Sequence, residues 1–293
     1  MEDRNELGCW LTLKMHEQHF MISVDHVVEL TKTTGHPIAE LPGSPPAIVG
    51  TMRLRDKLIP LIDLRIVLGL PSMREETKEV IELLDSRRTD HINWLNELES
   101  SVREQRAFTL TTDPHACKFG VWYDALMGDE AKLNAFTNGN LALRAVLEEF
   151  ADPHAQIHQL AVEVTGLVGE GRAPDALAHI VETRETVLGS MVRLFDRAKQ
   201  ITAELRQPLV VVVESDGVRA GLLIDEVDAI RRLGAEAFDP VPGELEHSEY
   251  VTAVCTRDEN RPLHVVLSVS SLIERLAGAL RRSDREALHA EAA

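Results

Sequence analysis

Four residues with metal-binding side chains could form one zinc site. His154 and His158 lie four positions apart in DPHAQIHQL, so on a helix both imidazoles project from the same face. Cys117 lies in a shorter similar stretch, DPHAC, and His91 lies in DHINW. Taken singly, each is more often an ordinary core or surface residue than a ligand. Together, three imidazoles and one thiolate satisfy the tetrahedral coordination of zinc, so the sequence predicts a zinc site.

Helical periodicity between residues 73 and 206 predicts the elements that must position these ligands. Apolar residues at steps of three and four define one face of a first helix, and His91 lies on that face. The face consists of Val80, Leu84, Arg87, His91, Trp94, Leu95, Leu98 and Val102. A last helix with a broad apolar side begins near Ala173, and two shorter helices lie between them. We therefore predict an antiparallel four-helix bundle with the metal in its core.

The two shorter helices have similar start signals. Asp113 precedes Pro114 and Asp152 precedes Pro153, so the aspartates are predicted N-caps and the prolines are predicted first helical residues. Cys117 would then lie in or near a first helical turn, where free backbone amides and the helix dipole favour a thiolate.

Two further residues near Cys117 could take part in the site. His115 is a spare ligand candidate, although two residues before Cys117 it points to a different face. Asp124 is expected to accept a hydrogen bond from a ligand imidazole. A hydrolytic zinc is disfavoured, because Ala155 and Gln156 follow His154 where a zinc protease has its glutamate base. Four protein ligands would also leave no position for water.

Alternating apolar stretches on both sides of the helical segment predict β-hairpins. Near the start, CWLTLKM precedes HFMISV and AIVGTMRL precedes KLIPLIDL. Near the end, PLVVVVES and VRAGLLIDEV flank Asp216-Gly217, a pair typical of tight hairpin turns, and YVTAVC precedes PLHVVLSV. SVDHVVEL is similar to LIDEVDAI, and residues 49–70 are similar to 251–276. The simplest interpretation is two similar small β-barrels, each closing its own edges.

The predicted fold class is α+β, with a discontinuous double β-barrel domain interrupted by a helical bundle. The β domain takes residues 1–72 and 207–280, the insert takes 73–206, and 281–293 form a C-terminal tail. Insertion of one domain into another is tolerated at exposed turns.

Composition excludes several classes of function. The chain of 293 residues has a formal net charge of −17, which disfavours nucleic-acid binding and docking on anionic lipid. The sequence has no leader and no apolar run of membrane-spanning length, so we expect a cytoplasmic protein without direct membrane insertion. Cys9 and Cys255 are predicted small core residues rather than disulfide partners. The histidines expected to be solvated, in turns or at barrel edges, are His16, His19, His26 and His36.

Three blocks of the helical segment resemble the chemoreceptor zinc-binding domain in order and spacing. They are His91-Ile-Asn-Trp94, Cys117-Lys-Phe-Gly120-Val-Trp122 and His154-Ala-Gln-Ile-His158. The resemblance covers about residues 75–205. It implies Zn²⁺ ligands at His91, Cys117, His154 and His158, with Trp94, Gly120 and Trp122 packed around the metal. Members of this family are regulatory: zinc occupancy, or oxidation of the ligand cysteine, changes the output of an attached signalling domain. Relatives pair through their bundles, which implies a possible homodimer.

The flanking segments resemble CheW, which couples methyl-accepting chemotaxis receptors to the histidine kinase CheA. VGTMRLRDKLIPLIDLRIVLGL looks like the stretch in which an Arg-Gly turn precedes Ile-Pro-Val-Ile-Asp-Leu-Arg, and GLLIDEVDAI looks like a second block of that family. Arg55 corresponds to the arginine of the turn, which implies a partner-binding role. Asp56 stands where the family has glycine.

These resemblances predict a non-catalytic chemotaxis adaptor, recruited to receptor arrays, with zinc- or oxidant-responsive signal transduction. The alternatives are an adaptor of another two-component pathway, a zinc ion with a purely structural role, and a zinc-dependent hydrolase.

Overall fold

The computed structural model describes residues 7–241, 249–256, 263–275 and 278. The chain divides into a β unit, Met1–Glu75 with Gln207–Ala293, and a helical unit, Glu76–Arg206. The predicted tail, residues 281–293, lies outside the described residues. The domain boundaries at residues 72, 206 and 280 stay a prediction.

The described strands of the β unit form two six-stranded sheets. In chain order the strands are β1 (Gly8–Met15), β2 (Gln18–Ser23), β3 (Val27–Lys32), β4 (Ile38–Ala39), β5 (Ile48–Leu54), β6 (Lys57–Asp63), β7 (Leu209–Ser215), β8 (Val218–Ile224), β9 (Glu226–Leu233), β10 (Phe238–Pro240), β11 (Val251–Cys255) and β12 (His264–Leu267). The first sheet has the order β10-β11-β12-β2-β1-β9, and the second has the order β3-β7-β8-β6-β5-β4.

All four predicted hairpins form antiparallel pairs, namely β1 with β2, β5 with β6, β7 with β8, and β11 with β12. Asp216 and Gly217 adopt left-handed backbone conformations, with φ of 49° and 76°, as a tight turn requires. Arg55 and Asp56 do the same, with φ of 45° and 64°. Aspartate tolerates this region better than most residues, so the turn keeps its conformation without the family glycine.

The two sheets do not correspond to the two ends of the sequence. The first sheet joins β1 and β2 to β9–β12, and the second joins β3–β6 to β7 and β8. The equivalent strands β12 and β6 pair in parallel with β2 and β8, respectively. The sequence similarity therefore marks equivalent positions in two sheets that exchange strands. The sequence predicts the discontinuous β domain and its two similar parts, but not which strands are exchanged between them.

Apolar side chains from both ends of the chain pack into shared cores. Leu11 and Leu13 of β1 pack in one cluster with Val211 and Val213 of β7. Cys255 is buried in a smaller cluster within the first sheet, and Cys9 is half-buried. A short helix α1 (Leu64–Val67) follows β6, and residues 269–275 are helical after β12.

The helical unit contains more short helices than the sequence predicts. The long helix α2 (Met73–Arg103) enters it, followed by α3 (Lys118–Met127), α4 (Glu130–Thr137), α5 (Leu141–Glu148), α6 (Ala151–Gly169), α7 (Ala173–Thr183), a π-helical segment (Arg184–Leu188) and α8 (Gly189–Leu205). Asn138 ends α4 in a left-handed conformation and Asn140 caps α5, so these polar residues break a stretch that apolar periodicity alone does not divide. None of the described helices combines the length and apolar character that crossing a bilayer requires.

Candidate metal centre

The structure brings together the four residues that the sequence selects as zinc ligands. One ligand atom from each of His91, Cys117, His154 and His158 lies within 4.8 Å of all the others. Cys117 Sγ lies 3.2 Å from His154 Nε2. Ligand atoms around a tetrahedral zinc lie roughly 3.3–3.8 Å apart, given its bond lengths. Only small side-chain shifts separate this arrangement from a coordination shell.

A backbone carbonyl orients His91 within the buried face of α2. Its Nδ1 lies 2.8 Å from the carbonyl oxygen of Arg87, one helical turn earlier, so Nδ1–H donates and Nε2 is left for a metal. Nε2 is buried and has no hydrogen-bond partner. The predicted apolar face of α2 is correct, since Leu84, Leu95 and Leu98 are buried beside His91.

Cys117 is itself the N-cap of α3, which differs from the predicted helix start. The Gly120 backbone N–H donates to Cys117 Sγ over 3.1 Å. Asp113 instead accepts from the His115 N–H at 2.9 Å, so it stabilises the turn that precedes the helix. A Cβ on Gly120 would lie 1.8 Å from the Pro114 carbonyl oxygen. Glycine therefore allows this turn to pack directly against the start of α3.

His154 and His158 are buried on one face of α6, as their spacing predicts. Phe150 precedes this helix and Asp152 lies in its first turn, so Asp152 is not the predicted N-cap. The reason is that α5 runs almost directly into α6, leaving no extended residue for a side-chain cap. Both ring nitrogens of His158 are buried, and neither has a hydrogen-bond partner of good geometry among the described residues, although the Thr111 backbone lies near enough to raise its pKa.

Aromatic rings enclose the four candidate ligands. Trp94 packs against His158, with ring centroids 5.0 Å apart, and donates its indole N–H to the Thr111 carbonyl at 2.9 Å. Phe119, which the sequence argument missed, contacts His154 and His91 with ring centroids 4.7 Å and 5.4 Å apart. The sequence feature that indicates this contact is its position two residues after Cys117. Trp122 packs on Phe119 and Phe136 instead, with ring centroids 5.6 Å and 5.7 Å apart.

His115 and Asp124 form a surface pair outside the cluster. The His115 side chain is 74% exposed, and its Nδ1 lies 2.8 Å from Asp124 Oδ2. This hydrogen bond raises the pKa of His115. The expectation that Asp124 accepts from a ligand imidazole is wrong, because helix α3 directs its carboxylate toward His115.

Burial sets the protonation states of the cluster. It lowers the pKa of His154 to about 3 and that of His158 to about 4, with neighbouring histidines adding to both shifts. Burial also lowers the pKa of His91. All three imidazoles are therefore neutral at pH 7, the form that binds metals. Burial raises the pKa of Cys117, against the lowering effect of the Gly120 and Phe119 amides. The predicted thiolate is thus not favoured by the helix terminus alone.

The donor set fits a zinc ion. Among the described residues, no hydrogen-bond partner lies within reach of three buried ring nitrogens, which are His91 Nε2 and both nitrogens of His158. Leaving a buried polar atom unsatisfied costs roughly 1–3 kcal/mol. A divalent cation that prefers sulfur and nitrogen ligands would satisfy one nitrogen of each imidazole and stabilise the thiolate.

Comparison with known proteins assigns the two units to families. The CheW-like domain matches residues 10–90 and 153–277, and the chemoreceptor zinc-binding domain matches residues 91–165. No curated protein matches the chain. Among solved structures, the crystal structure of scaffolding protein TtCheW from Thermoanaerobacter tengcongensis shares 12% identity over 90% of both chains, with a TM-score of 0.40. Because the CheW-like match covers more than half of the sequence, the chain belongs to the CheW-like family and carries an inserted chemoreceptor zinc-binding domain.

Proposed function

We propose that this protein is a non-catalytic adaptor that couples chemoreceptors to the histidine kinase CheA. We propose further that its inserted bundle binds one zinc ion through His91, Cys117, His154 and His158, and that this site regulates coupling. The convergence of one thiol and three imidazoles within 4.8 Å carries the zinc assignment. Membership of the CheW-like family carries the adaptor assignment.

The residues around the cluster have separate roles in holding zinc. The Arg87 carbonyl fixes the ring orientation of His91, and the Gly120 amide holds Cys117 Sγ at the start of α3. Trp94 and Phe119 cover the imidazoles and exclude water. When bound, zinc supplies a closed four-coordinate crosslink between α2, the start of α3 and α6. Binding releases the Cys117 thiol proton, because the ligand is the thiolate.

The environment of the cluster favours regulation over catalysis. A hydrolytic zinc needs an open position and a carboxylate base nearby. Ala155 and Gln156 follow the first ligand of α6, and Asp124 is engaged by His115. Four protein ligands in a buried aromatic environment leave no place for a substrate.

Cys117 is the ligand through which an oxidant would act. It is half-buried, whereas the three histidines are buried, so Cys117 is the most accessible of the four residues. Oxidation to a sulfenic acid removes the thiolate and leaves a weaker set of three imidazoles. The chain leaves the β unit through α2 and returns to it from α8 through β7. A change in the packing of these helices would therefore act on both connections between the insert and the CheW-like domain. This is how the site would change the output of the CheW-like domain.

The turn between β5 and β6 is the proposed partner-binding region. The Arg55 side chain is 82% exposed and forms an ion pair with Glu29 of β3 at 2.8 Å. Val28 and Leu30, which flank Glu29 in sequence, and Leu58, three residues after Arg55, are exposed apolar residues. Exposed apolar residues bordered by charges are typical of protein–protein interfaces.

Pairing of two copies through the bundle is the remaining part of the proposal. Val162 and Val168 on α6 and Val181 on α7 are exposed apolar residues on neighbouring helices. Glu163 and His179, which lie 3.6 Å apart, show that these two helices are adjacent. The expected homodimer would cover these valines.

We expect zinc retention to depend on the four ligands and not on His115. Cys117→Ser and His158→Ala should each weaken zinc binding by more than about tenfold, because removing only a residue that supports a ligand already costs roughly 10–100-fold. His115→Ala removes a nearby exposed imidazole and should retain one zinc per chain after dialysis against a chelator. Elemental analysis by mass spectrometry measures this. Equal zinc loss in all three variants would refute the assignment.

Gly120→Ala should disrupt the start of α3. The added Cβ meets the Pro114 carbonyl at 1.8 Å, so the turn carrying Cys117 must move. We expect a loss of about 1–3 kcal/mol in the free energy of unfolding, as for other overpacked sites, together with weaker zinc binding.

The matched control is Gly166→Ala on α6, where an added Cβ meets nothing within 4 Å. It should stabilise the helix by about 0.5–1 kcal/mol and leave zinc binding unchanged. Urea denaturation of both variants measures the difference. Equal stability of the two variants would contradict the close packing at Gly120.

Metal loading and oxidation should change kinase output in receptor-containing assemblies. We expect zinc-loaded and peroxide-treated protein to stimulate CheA to different extents, because oxidation removes the thiolate ligand. Cys117→Ser should abolish the response to peroxide, whereas Cys9→Ser, which removes the other half-buried thiol, should retain it. The measurement is phosphotransfer by CheA. Identical output under both conditions would leave zinc with a purely structural role.

Arg55→Glu should weaken binding to CheA or to receptor cytoplasmic tips by roughly tenfold, because it reverses the charge of an exposed interface residue and places it beside Glu29. Arg197→Glu changes an exposed arginine of α8 that pairs with Glu149, and binding should not change. Surface plasmon resonance with immobilised partner measures both. Wild-type affinity for Arg55→Glu would exclude this turn from the interface. If the wild-type protein binds neither CheA nor receptor, it serves another two-component pathway.

A further inference from the structure

A second group of metal-binding side chains lies in the β unit, apart from the zinc-binding insert. His19 of β2, Asp228 of β9 and His264 of β12 each offer a ligand atom, and these three atoms lie within 4.8 Å of one another. The centroids of the two imidazole rings lie 5.3 Å apart, and the rings are tilted by 58° to each other. The sequence-based expectation that His19 is solvated is wrong. It lies within a strand, half-buried, and its Nδ1 atom is buried.

Sheet topology gathers residues that are far apart in the chain. His19 and His264 are directly opposed partners in the parallel pair of β2 and β12. Asp228 is the extra residue of a β-bulge, because Val227 pairs with Leu13 and Ala229 pairs with Thr12. Bulges redirect side chains and are common beside functional sites. Here the bulge lets the carboxylate reach across the first sheet toward the two imidazoles.

The immediate surroundings of the cluster suit a cation. The Thr12 hydroxyl, which donates to the Ala229 carbonyl over 3.0 Å, lies 3.4 Å from Asp228 Oδ2, and Arg231 Nη2 lies 3.7 Å from the same oxygen. Such contacts hold a carboxylate in one orientation for a metal. His19 Nδ1 is buried and has no hydrogen-bond partner within the described part of the chain, which is costly unless another group satisfies it. His264 is only 1% exposed, so its ring is held within the fold.

The equivalent positions in the second sheet show that the fold does not require this cluster. In the first sheet Lys14 of β1 pairs with His19 of β2. At the equivalent place in the second sheet Glu214 of β7 pairs with Arg219 of β8, so Arg219 is the counterpart of His19. In the same way, His264 corresponds to Ile59 and Asp228 to Val28. These three positions of the second sheet hold a cation and two aliphatic side chains. The metal-binding residue types are therefore a property of the first sheet alone.

We propose that His19, Asp228 and His264 form a second site for a divalent transition-metal ion, with zinc as the expected ion. Two imidazoles and a carboxylate suit zinc and related first-row metals. Asp228 is exposed, so the site opens to solvent on its side and leaves a coordination position for water or for a group from a partner. Affinity is lower than at the cysteine-containing site, because no thiolate takes part. The ion would join strands from before and after the helical insert.

Metal titration of the full chain tests this proposal. Metal-free protein is titrated with Zn²⁺ by calorimetry, and with Co²⁺ followed by absorption spectroscopy. We expect two ions per chain for the wild type. The tighter Co²⁺ ion should give a thiolate charge-transfer band, and the weaker one should give only ligand-field bands, because its ligands are nitrogen and oxygen. The Cys117→Ser/His158→Ala double variant should retain the weaker event.

Substitutions in the second site should remove the weaker event alone. His19→Ala and Asp228→Asn should each reduce its affinity at least tenfold and leave the charge-transfer band unchanged. Asp228→Asn is less disruptive to folding than His19→Ala, because the Asp228 side chain is exposed. Circular dichroism checks that both variants are folded. His36→Ala, which removes a histidine outside both clusters, should bind two ions. A single ion per wild-type chain, or a weaker event that survives both His19→Ala and Asp228→Asn, would overturn the proposal. If the cysteine-containing site fails to bind metal but the weaker event remains, the proposal for the second site stands.

Discussion

The burial of three neutral imidazoles beside one thiol is the constraint on which the helical unit depends. Buried histidine nitrogens are normally hydrogen-bonded, yet three of those in this core have no partner in the part of the chain that the structure describes. A bound metal ion would offset this cost, and folding of the bundle would then be linked to metal binding. This explains why α2, the start of α3 and α6 meet at one point. Phe119 and Trp94 close that point to water.

The β unit depends on strand exchange between the segments before and after the insert. A buried ion pair reinforces that exchange, because Arg65 of α1 contacts Asp225, the residue after β8, over 2.7 Å and 2.5 Å. Asp225 also accepts from the His16 backbone N–H at 2.6 Å. Removing one partner of a buried ion pair is typically costly, about 3–5 kcal/mol. The two segments therefore fold as one unit although a whole helical unit separates them in sequence.

Periodicity and spacing predict the features of this fold that depend on local sequence. The buried face of α2, the start of α7 at Ala173, the four hairpins and the common face of His154 and His158 all follow from residues close together in the chain. Features that depend on tertiary contacts do not. A strand alternates apolar and polar residues whichever strand it pairs with. The sequence pattern of each half is therefore the same for exchanged strands as for a self-contained barrel. The helical pattern of the insert likewise does not locate the breaks around α4 and α5.

The candidate site shows the same limit. Cys117, His91, His154 and His158 can be selected from residue type, spacing and family resemblance. The role of Cys117 as a helix N-cap depends on the contact of Gly120 with Pro114, which spacing does not reveal. The cluster of His19, Asp228 and His264 was missed because its members lie on three strands and are joined only by sheet register and a bulge.

Zinc K-edge X-ray absorption spectroscopy on full-length protein loaded with one equivalent of zinc tests the central claim most directly. A Cys/His3 site predicts one sulfur at about 2.3 Å and three nitrogens at about 2.0–2.1 Å, with the outer-shell scattering of imidazole rings. A coordination shell made only of nitrogen and oxygen, or one with more than one sulfur, would contradict the account.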